Sequence, residues 1–188
     1  ITYGTVLKDE PLPNYFDDGS EGPNNFDGTF AGTVNVDQAI TESLNAPVAQ
    51  LINQMSPLVS YQFLTQNLHI TSLSEEDSYN VGGVAIGGLT NGISVCEMTG
   101  AYQIFGNGGK YYTPYTVYRI EDNEGNVIYD YQQNHSEEQA ISFDTATIMN
   151  KLLHLPINGT DTDAYPTANM VRRDDLDQIG KTGTTEDS

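Results

Sequence analysis

The hydrophobic period of this sequence changes from helical to strand-like near residue 110, and this change limits the folds open to the chain. Between residues 33 and 105 apolar side chains recur every three or four positions, as in amphipathic helices. The stretches YYTPYTVYRIED and NVIYDYQQ then alternate, and the turn DNEGN between them predicts a β-hairpin. Another helical pattern, FDTATIMNKLLHL, follows the hairpin. This order predicts an α+β domain.

The elements divide a single domain into four regions. We expect a surface loop over residues 1–32, helices with a Ser-x-Asn sequence over 33–110, a β-hairpin over 111–141, and a helix with a final strand over 142–188. The first region carries Pro, Gly, Asn or Asp at almost every second position, which is typical of a surface loop. Three aromatic residues are expected to hold this loop on the core: Tyr15, Phe26 and Phe30.

A short loop separates the first two predicted helices. Asn35 is a suitable N-cap for the first helix, which we expect to end near Ser43. Proline disrupts a helix interior but is favourable in a first turn, so the second helix is predicted to begin near Pro47. The loop between the two helices is therefore Ser43-Leu44-Asn45.

Capping residues and glycines predict the remaining boundaries. Pro57 begins a third helix, and a helix that starts near Ser94 ends at GNGG, a strong C-cap signal. The glycine pairs in NVGGVAIGG predict tight turns or a close approach of two backbone segments. Ser142 is expected to cap a further helix that Pro156 closes, and a last strand is expected to begin at Gln178.

The balance of charge excludes two classes of partner. The chain has 26 acidic and 7 basic residues, which give a formal net charge of -19. Binding to a nucleic-acid backbone needs clustered Lys and Arg that release counterions, and seven scattered basic residues do not supply them. We therefore expect neither a nucleic-acid partner nor an anionic membrane partner. No stretch of the sequence approaches the ~18 apolar residues of a membrane span.

The cysteine and the histidines indicate no catalytic or metal-binding cluster. Cys96 lies in the apolar-periodic run ISVCEMTGAYQIF, so we expect a small buried core residue. A nucleophilic cysteine needs a nearby histidine, and the spacing of His69, His135 and His154 proposes none. Acidic runs are expected to be solvated loops, and DNEGN to be a turn rather than a calcium loop. Hence no metal and no cofactor are expected.

The stretch GKTGTT near the end of the chain combines groups suited to binding a carboxylate. On an edge strand, Lys181 would present an ammonium group, Thr182 and Thr184 would present hydroxyls, and Gly183 would let a peptide backbone come close. This arrangement fits an extended peptide that adds to the strand. The alternative is an ordinary exposed edge strand protected by a lysine.

A second candidate group is Ser43-Leu44-Asn45 at the junction of two helices. A Ser-x-Asn sequence can direct a hydroxyl and an amide at one point. Both residues are also common helix caps, so the sequence alone leaves that alternative open. The joint occurrence of Ser-x-Asn and, later, Lys-Thr-Gly-Thr favours a shared site.

These motifs, in this order, resemble the transpeptidase domain of class A penicillin-binding proteins. That serine superfamily carries the motifs Ser-x-x-Lys, Ser-x-Asn and Lys-Thr-Gly. The resemblance covers most of residues 9–185, through NNFDGTFAGTVNVDQAITESLNAPVAQL, then GGLTNGISVCEMTGAYQIFGNGGKYYTPYTVYRIEDNEGNVIYD, then GKTGTT. It implies the penicillin-binding protein/serine β-lactamase-like fold, a helical cluster with an antiparallel sheet.

The resemblance implies a domain that cross-links peptidoglycan by serine acyl transfer. A serine attacks the D-Ala-D-Ala bond of a stem peptide, releases the terminal D-Ala, and passes the acyl group to a neighbouring amine. β-Lactams acylate the same serine. By resemblance, Ser43 would join the proton relay, Asn45 would hydrogen-bond a substrate amide, and Lys181 would tune the site electrostatically. Thr182 and Thr184 would bind the terminal carboxylate, and Gly183 would keep the strand face open.

The sequence departs from the family at the nucleophile, because no lysine is preceded three positions earlier by serine. The residues at that position are Thr5 before Lys8, Asn107 before Lys110, Ile148 before Lys151 and Gln178 before Lys181. In the family the serine motif precedes the loop that opens this chain, and further strands follow the lysine motif. We therefore expect a central fragment, incomplete at both ends and inactive alone.

The leading interpretation is a fragment of a transpeptidase whose parent is anchored outside the cytoplasmic membrane by a segment absent here. Its expected partners are the D-Ala-D-Ala stem peptide and β-lactams. The alternative is a non-catalytic sensor or binding module that recognises penicillin or peptidoglycan. A β-lactamase is a third possibility, which the GNGG and TPYTV context favours less.

Overall fold

The computed structural model describes residues 1–2, 4–135, 137–160 and 164–184. The first half of the chain contains β1 (Val6–Asp9), β2 (Gly32–Asn35), α1 (Val36–Thr41), α2 (Asn45–Met55), α3 (Pro57–Gln62), α4 (Val81–Ile86) and α5 (Val95–Gly106). The second half contains β3 (Lys110–Tyr112), β4 (Arg119–Glu121), β5 (Val127–Asp130), α6 (Tyr131–Asn134), β6 (Glu137–Gln139) and α7 (Phe143–Asn158). Short π and 3-10 segments lie at Phe63–Asn67, Glu75–Ser78 and Asn169–Val171.

The strands of the described residues form antiparallel pairs rather than one wide sheet. β1 pairs with β2, with Asp9 opposite Gly32, so the prediction of a surface loop over residues 1–32 is wrong at Val6–Asp9. β4 and β5 form the predicted hairpin, with Arg119 opposite Asp130. β3 pairs with β6, with Lys110 opposite Gln139. Helices combined with small antiparallel sheets make this an α+β fold, as predicted.

The hairpin is shorter than the alternating pattern predicts. Residues 113–118 separate β3 from β4, so the stretch predicted as one strand forms two. Pro114 lies in this gap, and a proline cannot donate to a strand ladder. The second strand ends at Asp130, whose side chain accepts a hydrogen bond from Gln132 N–H at 2.9 Å and caps α6. A local cap therefore overrides the alternating pattern from Tyr131 onward.

The helices pack around two centres. α1 lies on α7, and α2 lies on α4 and on β1. A second group of buried side chains joins α5 and β3 to the chain after α3: Leu68, Ile70, Ala101, Ile104 and Tyr111. The first centre joins the end of α1 to α7 and to the chain that follows α7, and it brings Ser43 and Lys181 together.

Several predicted helix boundaries are confirmed. α3 begins at Pro57 and continues as a π turn to Asn67. Ser94 caps α5 through a capping box with Glu97, and Asn107 ends that helix. Ser142 Oγ accepts a hydrogen bond from Thr145 N–H at 3.1 Å and caps α7.

Two helix predictions are wrong. The tight turns predicted for the glycine-rich stretch are replaced by α4, which the Asn80 side chain caps through Gly83 N–H at 3.0 Å. The alternative for the same glycines, a close backbone approach, is confirmed, because a Cβ on Gly83 would lie 3.3 Å from the Gly88 carbonyl oxygen. Gly87, with φ of 93°, then ends the helix. Pro156 lies inside α7 instead of closing it. Its carbonyl accepts from Ala168 N–H at 2.8 Å, and burial of its ring against the core compensates for the missing backbone donor.

Two burial predictions are wrong as well. Cys96 is exposed, because it lies in the first turn of α5 and the buried positions of that helix begin at Gly100. Phe26 is 100% exposed and Phe30 is also exposed, so these rings do not hold the first loop. Tyr15 is half-buried as predicted. The buried Asn25 side chain accepts hydrogen bonds from Asn45 N–H and Ala46 N–H, which join the loop to α2.

The strand expected from Gln178 is not formed in the described residues up to 184. The segment instead bonds to α7, through Gly180 N–H and the Leu153 carbonyl at 2.9 Å. An extended segment becomes a strand only when a partner offers ladder hydrogen bonds, and no described strand lies beside this one. Among the residues described, we also find no helix with the length and apolar character needed to cross a membrane.

Candidate active site

Ser43 occupies a left-handed backbone position at the end of α1, with φ of 58°. Its N–H donates to the Ile40 carbonyl at 3.3 Å, and Leu44 N–H donates to the Ala39 carbonyl at 3.0 Å. These two bonds form the Schellman arrangement that commonly ends a helix at glycine. A side chain at this position costs roughly 1 kcal/mol of backbone energy. Backbone strain of this kind is concentrated where side chains serve a function.

The N-terminus of α2 begins two residues later and is capped by a residue from far upstream. The first N–H groups of a helix have no partner within it. Here Asn25 Oδ1 accepts from Asn45 N–H at 2.9 Å and from Ala46 N–H at 3.2 Å. Pro47 has no N–H to satisfy. The turn between α1 and α2 is thus held at both ends, by the helix before it and by the loop that contains Asn25.

The side chain of Asn45 is also held by that loop. Its Nδ2 donates to the Asn24 carbonyl at 2.9 Å. Asn45 therefore stands at the first helical position of α2 with its backbone and its amide both anchored to consecutive residues, Asn24 and Asn25.

Lys181 connects the end of the chain to this turn. Its ammonium group donates to Ser43 Oγ at 2.5 Å and to the Thr182 carbonyl at 3.2 Å. The backbone bond of Gly180 to α7 fixes the position from which Lys181 extends. Burial lowers the pKa of Lys181 from its ordinary value, because desolvation disfavours the charged form. Lys181 therefore releases its proton more readily than an exposed lysine does.

A chain of hydroxyl groups orients Thr182. Thr182 Oγ1 donates to Thr167 Oγ1 at 3.1 Å, and the Thr167 hydroxyl donates to the Thr41 carbonyl at 3.2 Å. Thr41 is fully buried in the last turn of α1. The helix that presents Ser43 thus also orients Thr182.

Gly183 and Thr184 lie on the exposed side of the site. A Cβ built on Gly183 would meet no heavy atom within 4 Å, whereas one on Gly180 would lie 3.2 Å from Ile157 Cδ1. The surface above Gly183 is therefore open, which leaves room for the backbone of an extended peptide.

The arrangement offers two kinds of chemistry at one place. A lysine with a lowered pKa beside a serine hydroxyl can pass a proton between the two groups. An ammonium group beside the Thr182 hydroxyl can bind a carboxylate through charge-assisted hydrogen bonds.

The structure brings together the residues that the two motifs propose. Ser43 and Lys181 are in direct contact, Thr182 adjoins Lys181, and Asn45 follows Ser43 at the start of α2. Gly183 and Thr184 lie exposed beside them and belong to none of the described strands.

Sequence reasoning missed four residues that build the site: Asp9, Asn25, Thr41 and Thr167. No local signal marks Asn25 as a cap, because it acts on a helix that begins 20 positions later. Thr41 and Thr167 act through a carbonyl and a hydroxyl in elements distant in sequence. Contacts of this kind follow only from tertiary packing.

A family model described as penicillin binding protein transpeptidase domain matches residues 4–188. Penicillin-binding protein 1A of Clostridium acetobutylicum is 31% identical over 193 residues, which is 100% of this chain and 23% of that protein. Penicillin-binding protein 4 of Bacillus subtilis is 30% identical over 166 residues, covering 88% of this chain and 25% of that protein. The chain thus spans about a quarter of the length of these curated relatives.

Solved structures show the same likeness. Penicillin-binding protein 1A from Haemophilus influenzae matches 99% of this chain and 32% of its own, with a TM-score of 0.75 and 21% identity. The D,D-transpeptidase domain of peptidoglycan glycosyltransferase from Eggerthella lenta matches 99% of this chain and 49% of its own, with a TM-score of 0.72 and 19% identity. At these identities the likeness establishes the fold.

Proposed function

The chain belongs to the penicillin-binding protein transpeptidase domain family, and from this premise we propose that it forms part of the active site of a serine D,D-transpeptidase. The nucleophilic serine would come from a part of a longer parent protein outside these residues. It would attack the carbonyl carbon of the D-Ala-D-Ala bond of a stem peptide, forming an ester as the C–N bond breaks. The serine proton would pass to the departing D-Ala nitrogen. An acceptor amine would then attack the ester carbonyl and form a new amide as the C–O bond to serine breaks, and a proton of the amine would return to the serine oxygen.

The observation that carries this proposal is the contact between Lys181 and Ser43. Two motifs separated by most of the chain converge within a hydrogen bond of 2.5 Å. A lowered lysine pKa and a hydroxyl in contact form a relay able to deliver the proton to the leaving nitrogen. Ordinary helix capping by Ser43 requires no such partner.

The substrate would lie across the open side of the site. The terminal carboxylate fits beside Lys181 and the hydroxyls of Thr182 and Thr184, since charge-assisted hydrogen bonds to carboxylates are strong. The open surface over Gly183 would admit the peptide backbone, and the amide of Asn45 would bind a substrate amide. β-Lactams, which carry a carboxylate and a reactive amide, would occupy the same place.

The cellular setting follows from this substrate. Peptidoglycan stem peptides lie outside the cytoplasmic membrane, so we place the domain on the outer face of that membrane. A segment outside these residues would anchor the parent protein there.

The chain by itself is expected to be inactive, because its sequence contains no serine three positions before a lysine. The test is incubation of the parent protein and of the 188-residue chain with a fluorescent penicillin, followed by denaturing electrophoresis. The parent should carry a covalent band that unlabelled penicillin prevents, and the chain should carry none. A specific band on the chain would overturn the expected inactivity.

The groups suited to a carboxylate at Lys181 and Thr182 would also serve a second candidate, a non-catalytic module that recognises penicillin or peptidoglycan. In that case a folded parent would bind penicillin reversibly, measured by calorimetry, and would form no covalent band. Determining whether the parent gene encodes Ser-x-x-Lys upstream of Ile1 separates the two candidates before any assay.

A further inference from the structure

We propose that Asn25, held in one orientation by Asp9, is a positioning residue for acyl transfer. It would act through the first two amides of α2 and set the turn that carries Ser43 and Asn45. The inference rests on the proposed function, because that turn supplies the proposed relay and amide-binding groups.

The side chain of Asn25 is buried and uses its full hydrogen-bonding capacity. It is 4% exposed, and Asp9 is 1% exposed. Its Nδ2 donates to Asp9 Oδ1 at 2.7 Å and to the Thr29 carbonyl at 2.9 Å. Its Oδ1 accepts from the N–H groups of Asn45 and Ala46. Two donors and one oxygen with two lone pairs are thereby all satisfied, which is what a buried amide requires.

Asp9 determines which way the amide faces. A carboxylate only accepts hydrogen bonds, so the nitrogen of Asn25 must face it and the oxygen must face α2. The second carboxylate oxygen of Asp9 accepts from Ala31 N–H at 2.7 Å and fixes the carboxylate in turn. A flipped Asn25 would place its oxygen against Asp9 and its NH₂ against two backbone N–H groups. Asp9, in β1, therefore keeps the oxygen of Asn25 facing the N–H groups of α2.

This network reaches the site through the backbone and touches no reacting group. Asn45 and Ala46 follow Ser43 by two and three positions, and the Asn24 carbonyl holds the Asn45 side chain. Ser43 contacts Lys181 from a strained left-handed position, which persists only if the surrounding structure enforces it. Displacement of catalytic groups by about 1 Å can cost on the order of 100-fold in rate. Loss of the Asn25 acceptor removes one side of this support.

The test compares three variants of the full-length parent protein. Asn25→Ala removes all four hydrogen bonds. Asn25→Asp keeps the acceptor for α2 but opposes two carboxylates. The double variant Asp9→Asn, Asn25→Asp restores a donor between positions 9 and 25 and keeps the acceptor for α2, but the Thr29 carbonyl then faces a carboxylate oxygen instead of a donor.

Asp77→Ala is the matched control. Asp77 is also fully buried and accepts from Thr90 N–H at 2.9 Å and Ser74 N–H at 2.8 Å. It lies between α3 and α4, outside the proposed site. Its removal should lower thermal stability by a comparable mechanism, the loss of a buried side chain that accepts two backbone hydrogen bonds, without disturbing the turn.

Two readouts are needed. Hydrogen exchange followed by mass spectrometry on peptides that span residues 43–47 reports the turn whether or not the protein is active. The first-order acylation rate constant with a fluorescent penicillin, separated from the affinity of the initial complex, reports catalysis. Both are measured at a temperature at which every variant is folded.

We expect faster exchange over residues 43–47 and acylation about 10- to 100-fold slower in both single variants. The double variant should recover part of both, because it regains the bond to position 9 but not the bond to the Thr29 carbonyl, and Asp77→Ala should change neither. Unchanged exchange, or slowing by Asp77→Ala equal to that by Asn25→Ala, would overturn the inference. An unmodified parent that is never acylated would contradict the proposed function instead, and the exchange result would still decide whether Asn25 holds the turn.

Discussion

Lys181 donates a hydrogen bond to Ser43, and Ser43 accepts it from the left-handed position that glycine usually takes. The hydroxyl needed for this contact can be present only if the backbone strain is tolerated. The pair therefore links a local cost in stability to a contact with the far end of the chain, and it leads to the first two predictions.

Replacing Ser43 should separate stability from activity. Ser43→Gly removes the hydroxyl and relieves the backbone strain, whereas Ser43→Ala removes the hydroxyl but leaves the backbone strained. We expect Ser43→Gly to be about 1 kcal/mol more stable than Ser43→Ala in thermal or denaturant unfolding. Penicillin acylation of the parent should fall in both. Equal stabilities would show that the position is not strained.

Lys181 should make stability depend on alkaline pH. Its folded-state pKa is lowered by burial, so the unfolded state binds more protons between that pKa and the ordinary 10.5. Stability relative to Lys181→Met should therefore rise with pH through this window. The measurement is the difference in melting temperature between the two proteins from pH 7 upward. A difference that falls or stays constant contradicts a desolvated lysine.

Gly183→Ala should affect substrate but not stability. A methyl group there would meet no atom within 4 Å, so unfolding should change by less than about 0.5 kcal/mol. The same methyl would stand where we place the peptide backbone, and acylation should slow by about 10-fold or more. Gly4→Ala, which also adds a methyl in open space, is the control. An acylation rate equal to that of the wild type in Gly183→Ala would show that the substrate does not lie over this surface.

Glu97 should stabilise the fold in a manner that acid removes. Backbone and hydroxyl hydrogen bonds from Thr71 and Ser94 lower the pKa of Glu97 to about 2. The stabilisation should be complete above the ordinary value of 4.5 and lost as pH falls through about 2. Glu97→Gln should therefore melt at a lower temperature at pH 7, and this difference should vanish in acid. Glu124→Gln, which makes the same substitution on the exposed β4–β5 turn, is the control.

Local patterns predicted much of the helical structure. Serine caps at Ser94 and Ser142 and the proline at Pro57 act on neighbouring residues, so the sequence around them is sufficient. Predictions failed where a distant or opposing contact decided the outcome. The Asn80 cap stabilises α4 despite the low helix propensity of its glycines, and the packing of α7 accommodates Pro156 within the helix.

In the site, too, local sequence identified the candidate residues, and distant contacts decided their arrangement. The sequence alone identified the family and its candidate residues. The motifs Ser-x-Asn and Lys-Thr-Gly-Thr, their order and the longer matching stretches are each made of consecutive residues, so they can be recognised without the structure. The contact of Lys181 with Ser43, the orientation of Thr182 by Thr167, and the capping of α2 by Asn25 were decided by the tertiary structure alone. Each depends on a donor and an acceptor meeting within about 3 Å, and separation along a chain carries no information about that distance until the helices are packed.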